Sequence, residues 1–308
     1  LRERRRMLHA RIAEVLETQS PEIAANQPEL VARHYTEASL IEKSAAFWGK
    51  AGRQSMARSS LAEAIAQLNR ALDQMDTLAT TPARRAERIE LQVAVIAPTL
   101  WVKGHSSPEA KAATERARVL IEEAEALGEP PENPLLLYSV LYGAWAAHAA
   151  AINGDALLTH AAQFLALAEK QGATIPLMMG HTIMGFSLVM TGSFVQARRH
   201  YDHAIALYDP AAHRTLAGRY LGEDFRTAGM TGRSRALWCL GYPEAALADA
   251  NLSISYARDM GDAGGLLLSL LFGSVTHFLC GSYATTETLA NELYTLADEQ
   301  GAIFWKSS

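Results

Sequence analysis

GYPEAALADANLSISYARDMG, from Gly241 to Gly261, followed by DAGGLLLSLLFGSVTHFLCG, from Asp262 to Gly281, is the stretch whose spacing decides the fold. Gly241, Gly261, Gly281 and Gly301 stand 20 residues apart, and Gly154, Gly172 and Gly192 are separated by 18 and 20. Glycine is favoured just past a helix end because it enters the left-handed region without a Cβ penalty. A glycine every 20 residues therefore predicts helices of roughly 15 to 18 residues joined by tight turns, with two helices to a unit of about 40. From Gly192 to Gly241 the interval is 49, and the excess falls around Asp209 to Gly222, so one longer loop near 209–222 interrupts the array.

Between the glycines, apolar residues recur at helical spacing, as in Leu61, Ala64, Leu68, Ala71 and Met75, or Leu157, Ala161, Leu165 and Ala168. Helix starts carry a polar residue, then proline, then glutamate: Ser20-Pro21-Glu22, Gln27-Pro28-Glu29, Ser107-Pro108-Glu109 and Tyr242-Pro243-Glu244. Proline at the first helical position loses no hydrogen bond, and the acid complements the positive end of the helix dipole. Thr81-Pro82 and Asn133-Pro134 follow the same logic without the acid. The β-branched run Gln92 to Ala97 is the best strand candidate, yet it lies inside a periodic segment from Arg84 to Trp101 in which Pro98 would kink a helix.

A residue-level repeat accompanies the spacing. Trp48, Ala51 and Gly52 on one helix are followed by Ala64, Leu68 and Ala71 on the next, and Gly185 is followed by Ala197, Tyr201 and Ala204. Ala246, Ala250 and Ser253 repeat it more loosely. Small residues belong where two helix backbones approach closely, and large ones fill the gap between neighbouring hairpins, which is the tetratricopeptide pattern. The expected fold is all-α: a right-handed tetratricopeptide-like superhelix of antiparallel hairpins, about fourteen helices, with Gly192, Gly241 and Gly281 in its turns. The alternative is an alanine-rich bundle without a superhelix.

Composition narrows the function. The 308 residues are 49% hydrophobic, ample for a continuous core, and the net charge of −5 offers no broad positive field, so no nucleic acid partner is expected. Two cysteines, Cys239 and Cys280, cannot make a disulfide framework, which points to a reducing, cytoplasmic setting. Both precede a turn glycine and read as small buried apolar residues. The most apolar stretches, Pro176 to Met190 and Gly264 to Cys280, are shorter than the roughly 20 residues of a bilayer span and read as buried helices, so no membrane is expected. The chain begins without methionine and stops at Phe304-Trp305-Lys306-Ser307-Ser308 where a new helix would start, which predicts a piece of a longer polypeptide.

No phosphate-cradling glycine loop, nucleophile elbow, His-Glu-x-x-His or Cys-x-x-Cys occurs, so neither catalysis nor a cofactor is expected of this chain. His200 and His203, three apart, could form half a metal site, but the sequence identifies no third ligand and no metal is expected. The run Arg2, Arg4, Arg5, Arg6 and Arg11 reads first as a solvated helix face, with a docking face for an upstream domain or anionic partner as the alternative. The segment from Arg219 to Arg235 breaks the local rules, with three glycines and many charges. Local inconsistency of that kind marks functional surfaces. Glu223, Asp224, Arg226, Arg233 and Arg235 are therefore the candidate lining of a concave groove that would take a protein, a peptide or a small molecule, the alternative being a tolerated degenerate repeat.

PELVARHYTEA (Pro28–Ala38), AFWGKAG (Ala46–Gly52), AIAQLNRAL (Ala64–Leu72), AIALYDP (Ala204–Pro210) and ALWCLGYPEAAL (Ala236–Leu247) carry a resemblance as a set. They resemble the C-terminal tetratricopeptide region of bacterial class III adenylate/guanylate cyclase proteins with a signal-transduction-type ATPase domain. The resemblance covers nearly the whole chain and departs from the family pattern at Leu221 to Arg235, where the family is more apolar. It implies that residues 1–40 form the exit from an upstream ATPase region and contact it, and that residues 41–308 form the repeat array, truncated at its C-terminal end. It also implies a non-catalytic sensing or interaction arm, the cyclase and nucleotide residues lying upstream. Two alternatives stay open: a free-standing scaffold for a partner peptide, and the sensor region of an ATPase-type transcription regulator.

Overall fold

The computed structural model describes residues 2–151, 153–214 and 224–307. Among them are sixteen α-helices and no strand. In order they are α1 (Arg2–Gln19), α2 (Pro21–Asn26), α3 (Pro28–Glu37), α4 (Ile41–Ala57), α5 (Leu61–Met75), α6 (Pro82–Lys103), α7 (Pro108–Ala126) and α8 (Leu135–Ala150). They continue as α9 (Gly154–Gln171), α10 (Thr174–Met190), α11 (Phe194–Ala206), α12 (Pro210–His213), α13 (Phe225–Cys239), α14 (Pro243–Met260), α15 (Ala263–Leu279) and α16 (Tyr283–Glu299), and a 3-10 turn, Ile303–Ser307, follows. The two helices beyond the expected number are the short α2 and α12, of six and four residues. Gln92 to Ala97 lie within α6, which runs on through Pro98 to Lys103. Of the expected long loop near 209–222, α12 occupies the start, and 215–223 lie outside the described residues.

The hairpin turns share one hydrogen-bonding scheme. Gly192, Gly241, Gly261, Gly281 and Gly301 have φ between 63° and 84°. In each case the next residue donates its N–H to the carbonyl five positions back, as in Ser193 to Leu188 (2.8 Å), Tyr242 to Leu237 (3.0 Å) and Ser282 to His277 (2.9 Å). That bond satisfies a carbonyl which the helix end would leave orphaned. Ser39 and Ser59 take the same left-handed role at φ 59° and 58°, which extends the spacing toward the N-terminus without glycine. Gly154 differs: it is the first residue of α9, behind the Asn153 cap, rather than a turn residue. Cys239 is exposed and Cys280 half-buried, contrary to the expected burial, because each sits where its helix emerges into the turn.

Close packing fills the space between helices. Trp48, Ala64, Leu68, Ala71, Ala197, Tyr201 and Ala204 are all buried. Gly52 faces Leu68, and Tyr201 of α11 lies between Gly185 of α10 and Gly232 of α13, bonding two successive hairpins through one ring. At the N-terminus Ala13, Ala24, Val31 and Tyr35 make a small cluster of their own. Helix α3 joins the array through Trp48 Nε1, which donates to Thr36 Oγ1 (3.2 Å), and Ser44 Oγ, which donates to the Ala32 carbonyl (3.1 Å).

The six hairpins from α4–α5 to α15–α16 bend round until the last meets the first. Ser59 Oγ donates to the Gly261 carbonyl at 2.9 Å, and Trp305 Nε1 donates to the Trp101 carbonyl at 2.7 Å, both across more than 200 residues of chain. Leu61, Trp101 and Val102 share one buried cluster with Leu267, Leu270, Leu293, Ala297 and Trp305. A tetratricopeptide-like superhelix is thus drawn into a closed turn, with α6, α8, α10, α13 and α15 on its inside.

The tightness of the repeat can be measured at Gly52. A Cβ there would stand 2.5 Å from Leu68 Cγ and 3.2 Å from the Leu68 backbone nitrogen, and Leu68 is fully buried. Gly52→Ala is expected to lower stability by about 1 to 3 kcal/mol, read as a fall in the urea midpoint at unchanged slope.

Candidate functional site: an aromatic cavity inside the closed superhelix

The inner helices present a second apolar face, and helical phase decides which residues reach it. From α8 come Tyr142, Trp145, Ala146, Ala149 and Ala150; from α10, Thr182, Ile183 and Phe186; from α15, Leu268, Leu271 and Phe272. Helix α13 adds Ala228, Thr231, Gly232 and Arg235, spaced as one stripe of a helix. Tyr201 of α11 also lines it, Trp101, His105, Phe304 and Trp305 stand at the seam, and the partly open cavity measures about 220 Å³.

Its walls are fixed by ring contacts. Trp101 and Trp305 stack at 5.3 Å and 12°, while Trp145 meets Phe186 edge-on at 5.3 Å and donates Nε1–H to Ser187 Oγ at 3.1 Å. The Arg235 guanidinium lies 3.9 Å from the Phe272 ring centre and 4.9 Å from that of Phe186. Held between two rings, it keeps a defined orientation. His105, half-buried, packs edge-on against Trp101 at 5.4 Å, and desolvation pulls its pKa down to about 4. It is therefore neutral at pH 7, since burial disfavours the charged form. The threonine hydroxyls in the wall are already engaged: Thr182 Oγ1 donates to the Met178 carbonyl (2.8 Å), and Thr231 shares a network with Ser253 (2.6 Å) and Ser269 (3.2 Å). Arg235 is the charged side chain among the described lining residues.

Of the four sequence candidates within the described residues, Arg235 is the one among the cavity-lining residues. Asp224 is fully buried as the cap of α13, accepting from the Arg226 and Thr227 amides (2.9 and 3.1 Å) and from the Tyr208 hydroxyl (2.7 Å). Arg226 stacks on Tyr256 at 5.0 Å, and Arg233 grips Asp249 with two bonds of 2.7 and 2.9 Å and Asp202 with one of 2.9 Å. Arg226 and Arg233 are seven apart and share a stripe turned toward α11 and α14, roughly opposite the inward one. Glu223 lies outside the described residues. The aromatic wall escaped the sequence reading, although it leaves one signal: the segments forming α10 and α15 lack the polar face that a helix packed on one side only would show.

Away from the cavity, His181 of α10 meets the His200 and His203 pair of α11, with His181 and His200 Nδ1 atoms 2.9 Å apart. Among the described residues no group of three or more His, Cys, Asp or Glu side chains is disposed to hold a metal. Burial, then the neighbouring His200 and His203, draws the His181 pKa down to about 4.

Two measurements follow from these pairs. Arg233→Ala removes three charged hydrogen bonds and strands the nearly buried Asp249, so it should cost about 2 kcal/mol or more in chemical unfolding. A histidine held neutral by folding contributes stability above its unfolded pKa of 6.5, and that contribution is lost as pH falls toward 4. Asp262, raised by burial to about 6, works in the opposite direction between 4 and 6. It is common to wild type and variant, so His181→Asn should lose less stability than wild type between pH 6.5 and 4.5.

No family model matches this chain, and no curated protein matches it. Among solved structures, a Rap protein complexed with Competence and Sporulation Factor aligns with a TM-score of 0.51 at 10% identity, covering 86% of this chain and 79% of the other. The apo form of RapI aligns with a TM-score of 0.50 at 13% identity, covering 98% and 88%. At such identities the likeness is one of fold.

Proposed function

We propose that this chain is a non-catalytic sensing and interaction module whose concave cavity is its binding site. The observation that carries this reading is that the cavity is walled by both ends of the array. Trp101 stands on the first side of the seam, and Phe304 and Trp305 on the second. A ligand that touches both sides changes the free energy of closure, and it acts on whatever the array is attached to only by that difference. In the fuller form of the proposal the array regulates a cyclase and ATPase protein. Helices α1 to α3 would then lead from an upstream ATPase region and rest against it, and a change at the seam would alter that contact. The resemblance in the five quoted segments supports this context. A second reading, a scaffold that holds a partner segment in its concave face, draws support from the structural neighbour solved with Competence and Sporulation Factor.

Trp305→Ala tests the sensing reading, because it removes the stacked indole and its bond to the Trp101 carbonyl. Loss of a buried Trp costs about 3 to 5 kcal/mol of local packing, so the seam should open and the radius of gyration in small-angle scattering should rise. In a polypeptide carrying this array with its cyclase and ATPase domains, the same change should shift nucleotide turnover severalfold. An opened array with unaltered turnover would leave only the scaffold reading.

A further inference from the structure

Helix α1 packs against α2 and α3, and α16 packs against α15 and the 3-10 turn, so each of these helices also turns a face to solvent. On α1 the outward stripe is Arg4, Leu8, Arg11 and Val15, four, three and four residues apart, and all four side chains are exposed. On α16 the stripe Tyr283, Glu287, Ala290 and Tyr294 has the same intervals and is exposed throughout. Alternating steps of three and four are the spacing of a seam between two packed helices. Neither stripe is polar enough to be a purely solvated face: Leu8 is 57% exposed, Tyr283 66% and Tyr294 56%.

The two stripes match in charge and in size. Helix α1 carries five arginines against three glutamates, whereas α16 carries four carboxylates and no cation. Arg5 is tied to Glu37 (2.9 Å) and Glu17 to Lys43 (3.4 Å), but among the described residues Arg4, Arg11 and Glu287 have no ion pair. Lys306 pairs with Asp298 and lies 5.2 Å from the Tyr294 ring centre, which leaves Glu287 as the acid of the stripe. Antiparallel alignment sets Arg11 opposite Glu287, Leu8 opposite the small Ala290, Val15 opposite Tyr283, and Arg4 opposite the Tyr294 ring. Parallel alignment would instead put Leu8 on Glu287 and Arg11 on Ala290.

We infer that α1 of one copy of this chain docks antiparallel on α16 of a second copy, continuing the array across the junction. Neighbouring helices of each hairpin already run antiparallel, so α1 takes the place that follows α16. The two faces differ, so the contact is head-to-tail, leaves a free face at each end, and lets assemblies grow with concentration. An 18-residue helix offers a seam of about 27 Å, smaller than a permanent interface, so association is reversible and salt-sensitive. The inference is independent of the cavity's role, and α2 and α3 remain for an upstream contact.

Sedimentation velocity of the intact chain over about a hundredfold range of concentration, in about 0.05 M and about 0.5 M salt, tests the docking. The weight-average mass should rise with concentration at low salt and fall back toward the monomer at high salt. Arg11→Glu and Glu287→Arg, both at exposed positions and confirmed as folded by circular dichroism, should each weaken association about tenfold or more by setting like charges opposite one another. The chain carrying both exchanges should associate as the wild type does. A monomer at every concentration would overturn the inference and leave the two stripes to other partners. So would a mass that levels off at two copies, single variants that associate unchanged, or a double variant that stays monomeric.

Discussion

Closure of the superhelix on itself is the constraint on which the rest of the molecule depends. An open array of hairpins would present its inner face to water as a groove, and the aromatic side chains along it would be solvated. The Trp101–Trp305 stack, with its indole bond to a backbone carbonyl and the Ser59 contact to Gly261, turns that groove into an enclosure. Burial of two indoles supplies a large apolar contribution, and the bond satisfies the one polar group that Trp305 would otherwise bury without a partner. The seam is assembled from residues some 200 positions apart, so nothing local enforces it.

Closure also explains the division of labour along single helices. Helix α13 directs Ala228, Thr231, Gly232 and Arg235 inward, while Arg226 and Arg233 turn toward α11 and α14. The first stripe lines the cavity. The second holds hairpins together through Asp202, Asp249 and Tyr256. Two arginines only two residues apart, Arg233 and Arg235, therefore do different physical work, one as the centre of an ion-paired clamp and the other as a ring-stacked cation in an apolar wall.

Electrostatic economy inside the enclosure follows from burial. A charged histidine at position 105 would place two cations in one small cavity, and desolvation prevents it. The hydroxyls of Thr182, Thr231, Ser253 and Ser269 bond to carbonyls or to one another, so those polar atoms cost little to bury. Among the described lining residues the surface turned to the interior is chiefly aromatic and aliphatic.

Residue spacing by itself determined the helices, their lengths, their turns and the small-against-large register of Gly52 with Leu68 and Gly185 with Tyr201, because each rests on interactions within a few turns of chain or between adjacent helices. Arg235 was legible as part of a segment with too many charges and glycines, yet nothing in the spacing separated it from Arg226 and Arg233. Only the tertiary structure decided that separation, and only it brought Trp101, Trp145, Phe186 and Phe272 around one space. The physical reason is that periodicity reports which side of a helix is apolar, whereas the curvature of the whole array decides whether that side meets a neighbour, solvent or its own far end.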